Sequence, residues 1–345
     1  MRCTIVPPHV LRHVADQHGD EMVRELVQRT LTLDLAKRDT RSAAQLIAQP
    51  PKATAPATAN RTIHDAGHKE ALPGPTVRSE GGPATGDQAA DQIYDWLGVT
   101  FDFYSTAYAR NSIDGAGLPL VASVHYGVDY DNAFWDGSQM VYGDGDQQIF
   151  TTFTGPLDVT GHELTHGVTQ YSGGLAYEGQ SGALNESLSD VFGSLVKQYH
   201  LGQTAEQADW LIGQGMFASQ VNGVALRSMK APGTAYDDPN LGKDPQPAEM
   251  AHYVDTDSDN GGVHINSGIP NRAFYLAATS IGGHAWEKAG RIWYDTITSK
   301  KVPTTADFAT FASMTYATAG KLFGVKSTES DAVREAWTTV GVKVT

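Results

Sequence analysis

His162 and His166 stand four residues apart with Glu163 between them, in the run His162-Glu163-Leu164-Thr165-His166. On a helix this spacing puts both imidazoles on one face, where neutral ring nitrogens can hold one Zn²⁺. The intervening glutamate lies near such an ion without ligating it. A Lewis acid beside a carboxylate base is the minimum equipment for splitting a peptide bond with water. The bland alternative is an ordinary helix whose histidines are merely hydrogen-bonded. A catalytic zinc usually takes three protein ligands, so two histidines leave the set one short.

The next informative segment is Gly182-Ala183-Leu184-Asn185-Glu186-Ser187-Leu188-Ser189-Asp190, continuing to Val196. Leu184, Leu188, Val191, Phe192 and Leu195 recur at helical spacing and predict a buried amphipathic helix. Glu186 and Asp190 share a face of it, and a buried face tolerates carboxylates only when something neutralises them. This makes Glu186 the third zinc ligand and Asp190 an acceptor from a ligating imidazole; a solvated stripe is the alternative. Donors aimed at a developing oxyanion are also needed. In Asp259-Asn260-Gly261-Gly262-Val263-His264, the glycines force a tight backbone and Asp259 can orient and charge the His264 ring. A lone histidine of this kind is more often structural. Tyr177, between a glycine turn and a helix, is a weaker candidate that packing alone would explain.

With these segments in view, the chain resembles the thermolysin family of zinc endopeptidases, the gluzincins. The matching runs are Asn132-Ala133-Phe134-Trp135, Gly137-Ser138, Met140 to Asp146, His162 to His166, Gly182 to Asp190, Ala225 to Met229 and Asp259 to Gly268, in order over residues 61–345. The resemblance implies His162, His166 and Glu186 as zinc ligands and Glu163 as general base. It implies His264 and Tyr177 as transition-state donors, Asp259 as the residue orienting His264, and Asp190 and Asn185 as supports of the ligands. Asn132 and Ala133 would bond an extended substrate backbone, and Arg227 a substrate carbonyl beside an apolar pocket including Phe150, Val159 and Leu226. A bulky apolar residue on the primed side of the scissile bond would then be preferred. A catalytically silent zinc-binding scaffold of the same fold is the competing reading, and intact Glu163, Tyr177 and His264 argue against it.

The departures from the family pattern concern calcium. Where relatives place acidic residues around a double calcium site, this chain has Lys197, Leu211 and Gln214, although Asp158 and Asp209 remain. An ammonium there opposes a calcium ion and can replace its charge, so the double site is expected to be absent. Asp255 to Asp259 does not make an EF-hand, because Asn260 and Asn266 stand where that loop needs glycine and glutamate.

Around these motifs, the expected fold is α+β: a β-rich N-terminal lobe and an α-helical C-terminal lobe, with the His162–His166 helix between them. A strand is predicted over 120–126 and a hairpin about Asp136-Gly137. Helices are predicted over 272–279, 286–298, 308–323 and 331–340, with Ser327 or Thr328 capping the last and Thr304 or Thr305 the one before. After Gly182 the chain is expected to be helical. Residues 1–50 differ: Val10, Leu11, Val14, Met22, Val23, Leu26 and Val27 suggest short amphipathic helices, and a Pro/Ala/Thr linker follows. The opening Pro7-Pro8-His9-Val10-Leu11 resembles the short prosegment of protealysin-type members. The expected organisation is prosegment 1–50, linker 51–60, N-terminal lobe 61–169 and C-terminal lobe 170–345, the prosegment being a removable intramolecular inhibitor or else a permanent module.

Cys3 is the only cysteine, which excludes an intramolecular disulfide; its thiolate could cap the zinc of a latent form, or it is a plain thiol. A net charge of −14 argues against nucleic acid or an anionic membrane as partner, and the family resemblance implies peptide or protein substrates. No run approaches a transmembrane span, and no signal peptide is apparent. A cytoplasmic zymogen or export by a non-classical route is expected, with the family analogy favouring secretion.

Overall fold

The computed structural model describes residues 4–41 and 58–345, with side chains to Asp34 in the first segment. Cys3, prosegment residues 42–50 and linker residues 51–57 lie outside it. Two helices open the chain: α1 (Pro8–Gln17) and α2 (Glu21–Arg41). Proline suits the start of α1, because its missing N–H is one the first helical turn cannot bond anyway. Val10, Leu11 and Val14 of α1 and Val23, Val27 and Leu31 of α2 are buried in the main apolar core. Met22, expected inside, is 69% exposed, because the buried stripe of α2 runs through residues 23, 27 and 31.

The N-terminal lobe is a five-stranded sheet of β1 (Arg61–Asp65), β2 (Thr76–Ser79), β3 (Leu120–Val124), β4 (Ala133–Trp135) and β5 (Met140–Tyr142) in the order β2-β1-β3-β5-β4. The β1/β3 and β3/β5 pairs are parallel, and the outer pairs antiparallel. The hairpin expected about Asp136-Gly137 joins β4 to β5, with Asp136 Oδ1 accepting from the N–H groups of Ser138 (2.8 Å) and Gln139 (2.9 Å). One long helix in this lobe was not foreseen: α3 (Gln88–Tyr108). Asp87 caps it by accepting from the Ala89 and Ala90 amides. Ile93, Leu97, Phe101, Tyr104 and Tyr108, at helical spacing, are buried along it.

Two central helices follow, α4 (Leu157–Ser172) and α5 (Gly179–Leu201), buried over most of their length. They cross at Gly161 and Gly193. A Cβ on Gly193 would lie 2.6 Å from the Asp158 carbonyl oxygen, and one on Gly161 would lie 3.0 Å from Gly193 Cα. Only glycine permits this approach, and it sets the faces bearing His162 and Glu186 together.

The expectation of helix throughout the rest fails between 202 and 258, which is mainly loop with two short strand pairs, 211–212 with 227–228 and 237–238 with 242–243. That stretch contains six glycines and four prolines and lacks a sustained helical period. Helix resumes in α6 (Asp259–Asn266), α7 (Gly268–Ile281), α8 (Ala289–Thr298), α9 (Phe308–Phe323) and α10 (Thr328–Thr339). Ser327 caps α10 as expected, whereas α9 is capped by Asp307, not by a threonine. Among the described residues no helix is long and apolar enough to cross a membrane.

Candidate active site

Helix α4 presents His162, Glu163 and His166, and α5 presents Asn185, Glu186 and Asp190 across from it; all but Asn185 are buried. His162 Nδ1 lies 2.8 Å from Asp190 Oδ1 and His166 Nδ1 2.9 Å from Asn185 Oδ1. An ionised carboxylate only accepts, so Nδ1 of His162 carries the proton. Asn185 Nδ2 faces the Leu175 carbonyl at 3.4 Å, which turns its oxygen toward His166 and fixes the same tautomer there. Both Nε2 lone pairs then converge, 3.1 Å apart, and stand 3.6 and 3.7 Å from the Glu186 carboxylate. The three donor atoms lie within 4.8 Å of one another.

Ligands about 2.0–2.1 Å from a tetrahedral zinc are themselves separated by about 3.3 Å. Two imidazole nitrogens and a carboxylate at these separations therefore suit that ion. Burial alone would raise the Glu186 pKa, but His264, His166, His162 and Arg227 outweigh it and hold the carboxyl at about 2.

Asp190 is the hub of the support. Besides His162, it accepts from Arg227 Nε and Nη2, both at 2.8 Å, and from Asn271 Nδ2 at 2.8 Å. Burial opposes its ionisation, yet Arg227 and His162 keep it well below the ordinary carboxylate range. Asn271, on α7, is fully buried and had no signal in the sequence. Ser189 was also missed, and its hydroxyl lies 3.0 Å from His166 Nδ1.

The loop and helix α6 bring the other candidates in. Asp259, Asn260, Gly261 and Gly262 all have positive φ (53°, 54°, 80° and 71°), a left-handed run that curls Asp259 back onto His264. Asp259 Oδ1 accepts from His264 Nδ1 at 2.8 Å and Oδ2 from the His264 amide at 3.0 Å. Burial would lower the His264 pKa, but Asp259 and Glu186 raise it above the ordinary imidazole value. His264 Nε2 stands 3.5 Å from Glu186 Oε2 and 3.3 Å from the Tyr177 hydroxyl, which donates to Glu186 Oε1. Glu163 Oε2 accepts from the Trp135 amide of β4 at 2.9 Å, a contact no local pattern announced.

The predicted substrate edge is occupied by residues 4–6 of the chain itself. Thr4 bridges Phe134 antiparallel, so residues 4–6 extend the sheet at its free β4 edge. Ile5 N–H donates to Ala133 O at 3.1 Å, and Arg227 Nη1 donates to Ile5 O at 3.1 Å. Asn132 accepts from Val6 N–H at 2.9 Å and donates to Val6 O at 3.3 Å. Phe150, Val159 and Leu226 belong to the contiguous apolar core that also takes Ile5 and Val6. At the positions compared with the double calcium site, Lys197 Nζ lies 3.2 Å from Asp158 and 2.8 Å from Asp209, and Leu211 belongs to a short strand.

Comparison with known proteins agrees with this geometry. Residues 34–170 match the family model described as thermolysin metallopeptidase, catalytic domain, and residues 173–342 the model described as thermolysin metallopeptidase, alpha-helical domain. The chain is 55% identical to an "Extracellular metalloprotease" of Pectobacterium carotovorum subsp. carotovorum, over 99% of this chain and 97% of the relative. It is 45% identical to "Protease PrtS" of Photorhabdus sp. (strain Az29), over 99% and 92% respectively. It superposes on the solved precursor of protealysin, a metalloproteinase from Serratia proteamaculans, with a TM-score of 0.90 at 54% identity, covering 99% of this chain and 100% of that one. The chain therefore belongs to the thermolysin family of metallopeptidases and is a zinc metalloendopeptidase with that family's two-lobed α+β fold.

Proposed function

We propose that the chain is a latent endopeptidase whose N-terminal segment lies in its own substrate cleft, and that peptides bind in its place once that segment is cut away. The observation that carries this reading is the extended Thr4–Val6 backbone, hydrogen-bonded to Asn132, Ala133 and Arg227 as an added strand. Strand addition at a sheet edge is a general way to hold an extended peptide. In the active form the same groups would hold a substrate backbone. Phe150, Val159 and Leu226 would take a bulky apolar side chain on the primed side. The segment boundaries assigned are 1–50 for the prosegment and 51–60 for the linker, with lobes at 61–169 and 170–345.

His162, His166 and Glu186 are assigned as zinc ligands. Bound there, zinc supplies a Lewis acid that polarises the scissile carbonyl and acidifies water. Asp190 and Asn185 hold the ligand rings in the tautomer that points Nε2 inward. Glu163, held by the Trp135 amide through Oε2, accepts the proton of the attacking water on its carboxylate and returns it to the leaving nitrogen. His264, oriented and charged by Asp259, and the Tyr177 hydroxyl donate to the oxygen on which negative charge develops. Lys197 takes the position of a cation between Asp158 and Asp209, which supports the absence of the family's double calcium site. The name of the Pectobacterium relative supports action outside the cell, which immunodetection in culture supernatant tests.

Glu163→Gln tests the assignment. The variant is expected to keep its zinc, measured by atomic emission, and to lose about 10²–10⁴-fold in kcat/KM on a quenched peptide after prosegment removal. Near-normal turnover would remove Glu163 from its role; zinc retained by an otherwise intact protein with no turnover on any peptide would favour the silent-scaffold alternative.

A further inference from the structure

Residues 4–6 are held through backbone groups that any extended peptide could offer: Ile5 N–H and C=O, and Val6 N–H and C=O. Nothing in those four bonds separates the prosegment from a substrate. A second contact, from the far part of α2, is of another kind. Asp34 is 4% exposed, and its carboxylate accepts from Asn132 Nδ2 at 2.9 Å and from the Tyr130 hydroxyl. One helical turn earlier, Thr30 Oγ1 accepts from the Asp131 amide at 3.3 Å. Thr30 and Asp34 thus grip three consecutive residues, Tyr130, Asp131 and Asn132, immediately before edge strand β4.

The chemistry of Asp34 adds direction. A carboxylate accepts only, so it draws the Nδ2 group of Asn132 toward α2. The Asn132 oxygen is thereby turned toward Val6 N–H, at 2.9 Å, and Ala133 N–H, at 3.1 Å. Because both attachments belong to one chain, a peptide that competes for the strand position must contend with a segment still tethered at α2.

Resting on the reading that the prosegment blocks the cleft, we propose that Asp34, assisted by Thr30, is a second anchor that orients Asn132 and keeps extended peptides from displacing Thr4–Val6. Asp34 is a positioning residue of the latent form. It is lost with the prosegment, so the mature cleft owes nothing to it.

The test uses the full-length chain carrying Glu163→Gln, which cannot process itself, and a fluorescent extended peptide with an apolar residue at its centre. Peptide binding is followed by anisotropy, beside the same chain freed of residues 1–50 by cleavage in trans. Adding Asp34→Ala is expected to tighten peptide binding to the full-length chain by about 10- to 100-fold, the range for losing a buried charged hydrogen bond. The cleaved forms should bind alike. Thr30→Val, which keeps the side-chain shape, should tighten binding by about 2- to 10-fold and decides the matter if Asp34→Ala does not fold. Unchanged affinity in the folded variants, with the parent still excluding peptide, would overturn the anchor alone. A parent that binds peptide as readily as its cleaved form would overturn the blocking reading and the anchor together.

Discussion

Asp190 gathers four hydrogen bonds that connect the proposed zinc ligands to the substrate side. It receives His162, both arms of Arg227 and Asn271 in a fully buried position. Asp190→Ala would leave the Arg227 guanidinium buried without its carboxylate, a change that costs about 3–5 kcal/mol. Chemical denaturation should register that loss, and zinc affinity should fall about 10- to 100-fold because His162 loses its orienting acceptor. A second buried carboxylate behaves oppositely. Asp131 is raised well above the ordinary carboxylate range by burial and by its neighbours Asp146 and Asp129. A raised folded-state pKa means that Asp131 favours folding at low pH and costs stability as pH climbs above the usual carboxylate value. Asp131→Asn keeps an oxygen to accept from the Asp146 amide. It should therefore raise Tm at pH 8 and leave it nearly unchanged at pH 4, by thermal denaturation at both. Residues such as His162, Glu163, His166 and Glu186 were legible because one helical period puts each group on a face. Asn271, the Trp135 amide and Asp34 were not, because their partners lie far off in sequence and no local spacing marks them.

At the scale of elements, the site depends on how closely α4 and α5 cross. Gly193→Ala would place a methyl 2.6 Å from the Asp158 carbonyl and 3.2 Å from His162 Cβ. The helices must part, at a cost of about 1–3 kcal/mol for overpacking. Glu186 and Asp190 would move with α5, so zinc content should fall along with stability; an alanine variant with full zinc and unchanged Tm would show the crossing to be slack. The elements themselves were unevenly readable. Helix α9 was foreseen at its observed bounds, and α10 within three residues, since strong periodicity and a serine cap agree. Helix α3 was overlooked because β-branched and aromatic residues beside it drew the lobe toward strand. The helical flanks of segment 202–258 suggest helix, while its own glycines, prolines and aspartates favour turns.

The described part of the molecule is a catalytic unit folded around its own segment from Thr4 to Asp34. Apolar faces of α1 and α2 join the main core, the Thr4–Val6 strand completes the sheet edge, and α2 grips the residues before it. Sequence pointed to a prosegment through composition and the Pro7-Pro8 opening. It could not show where that segment sits, because strand addition uses backbone groups that every sequence shares. The most direct test is hydrolysis of an internally quenched peptide by the purified full-length chain, with the N-terminus sequenced and zinc content followed over time. Activity should begin near zero, rise as the first fifty or so residues are removed, vanish with chelator, and track about one zinc per chain. Full activity from a chain that still carries residues 1–50 would contradict the account.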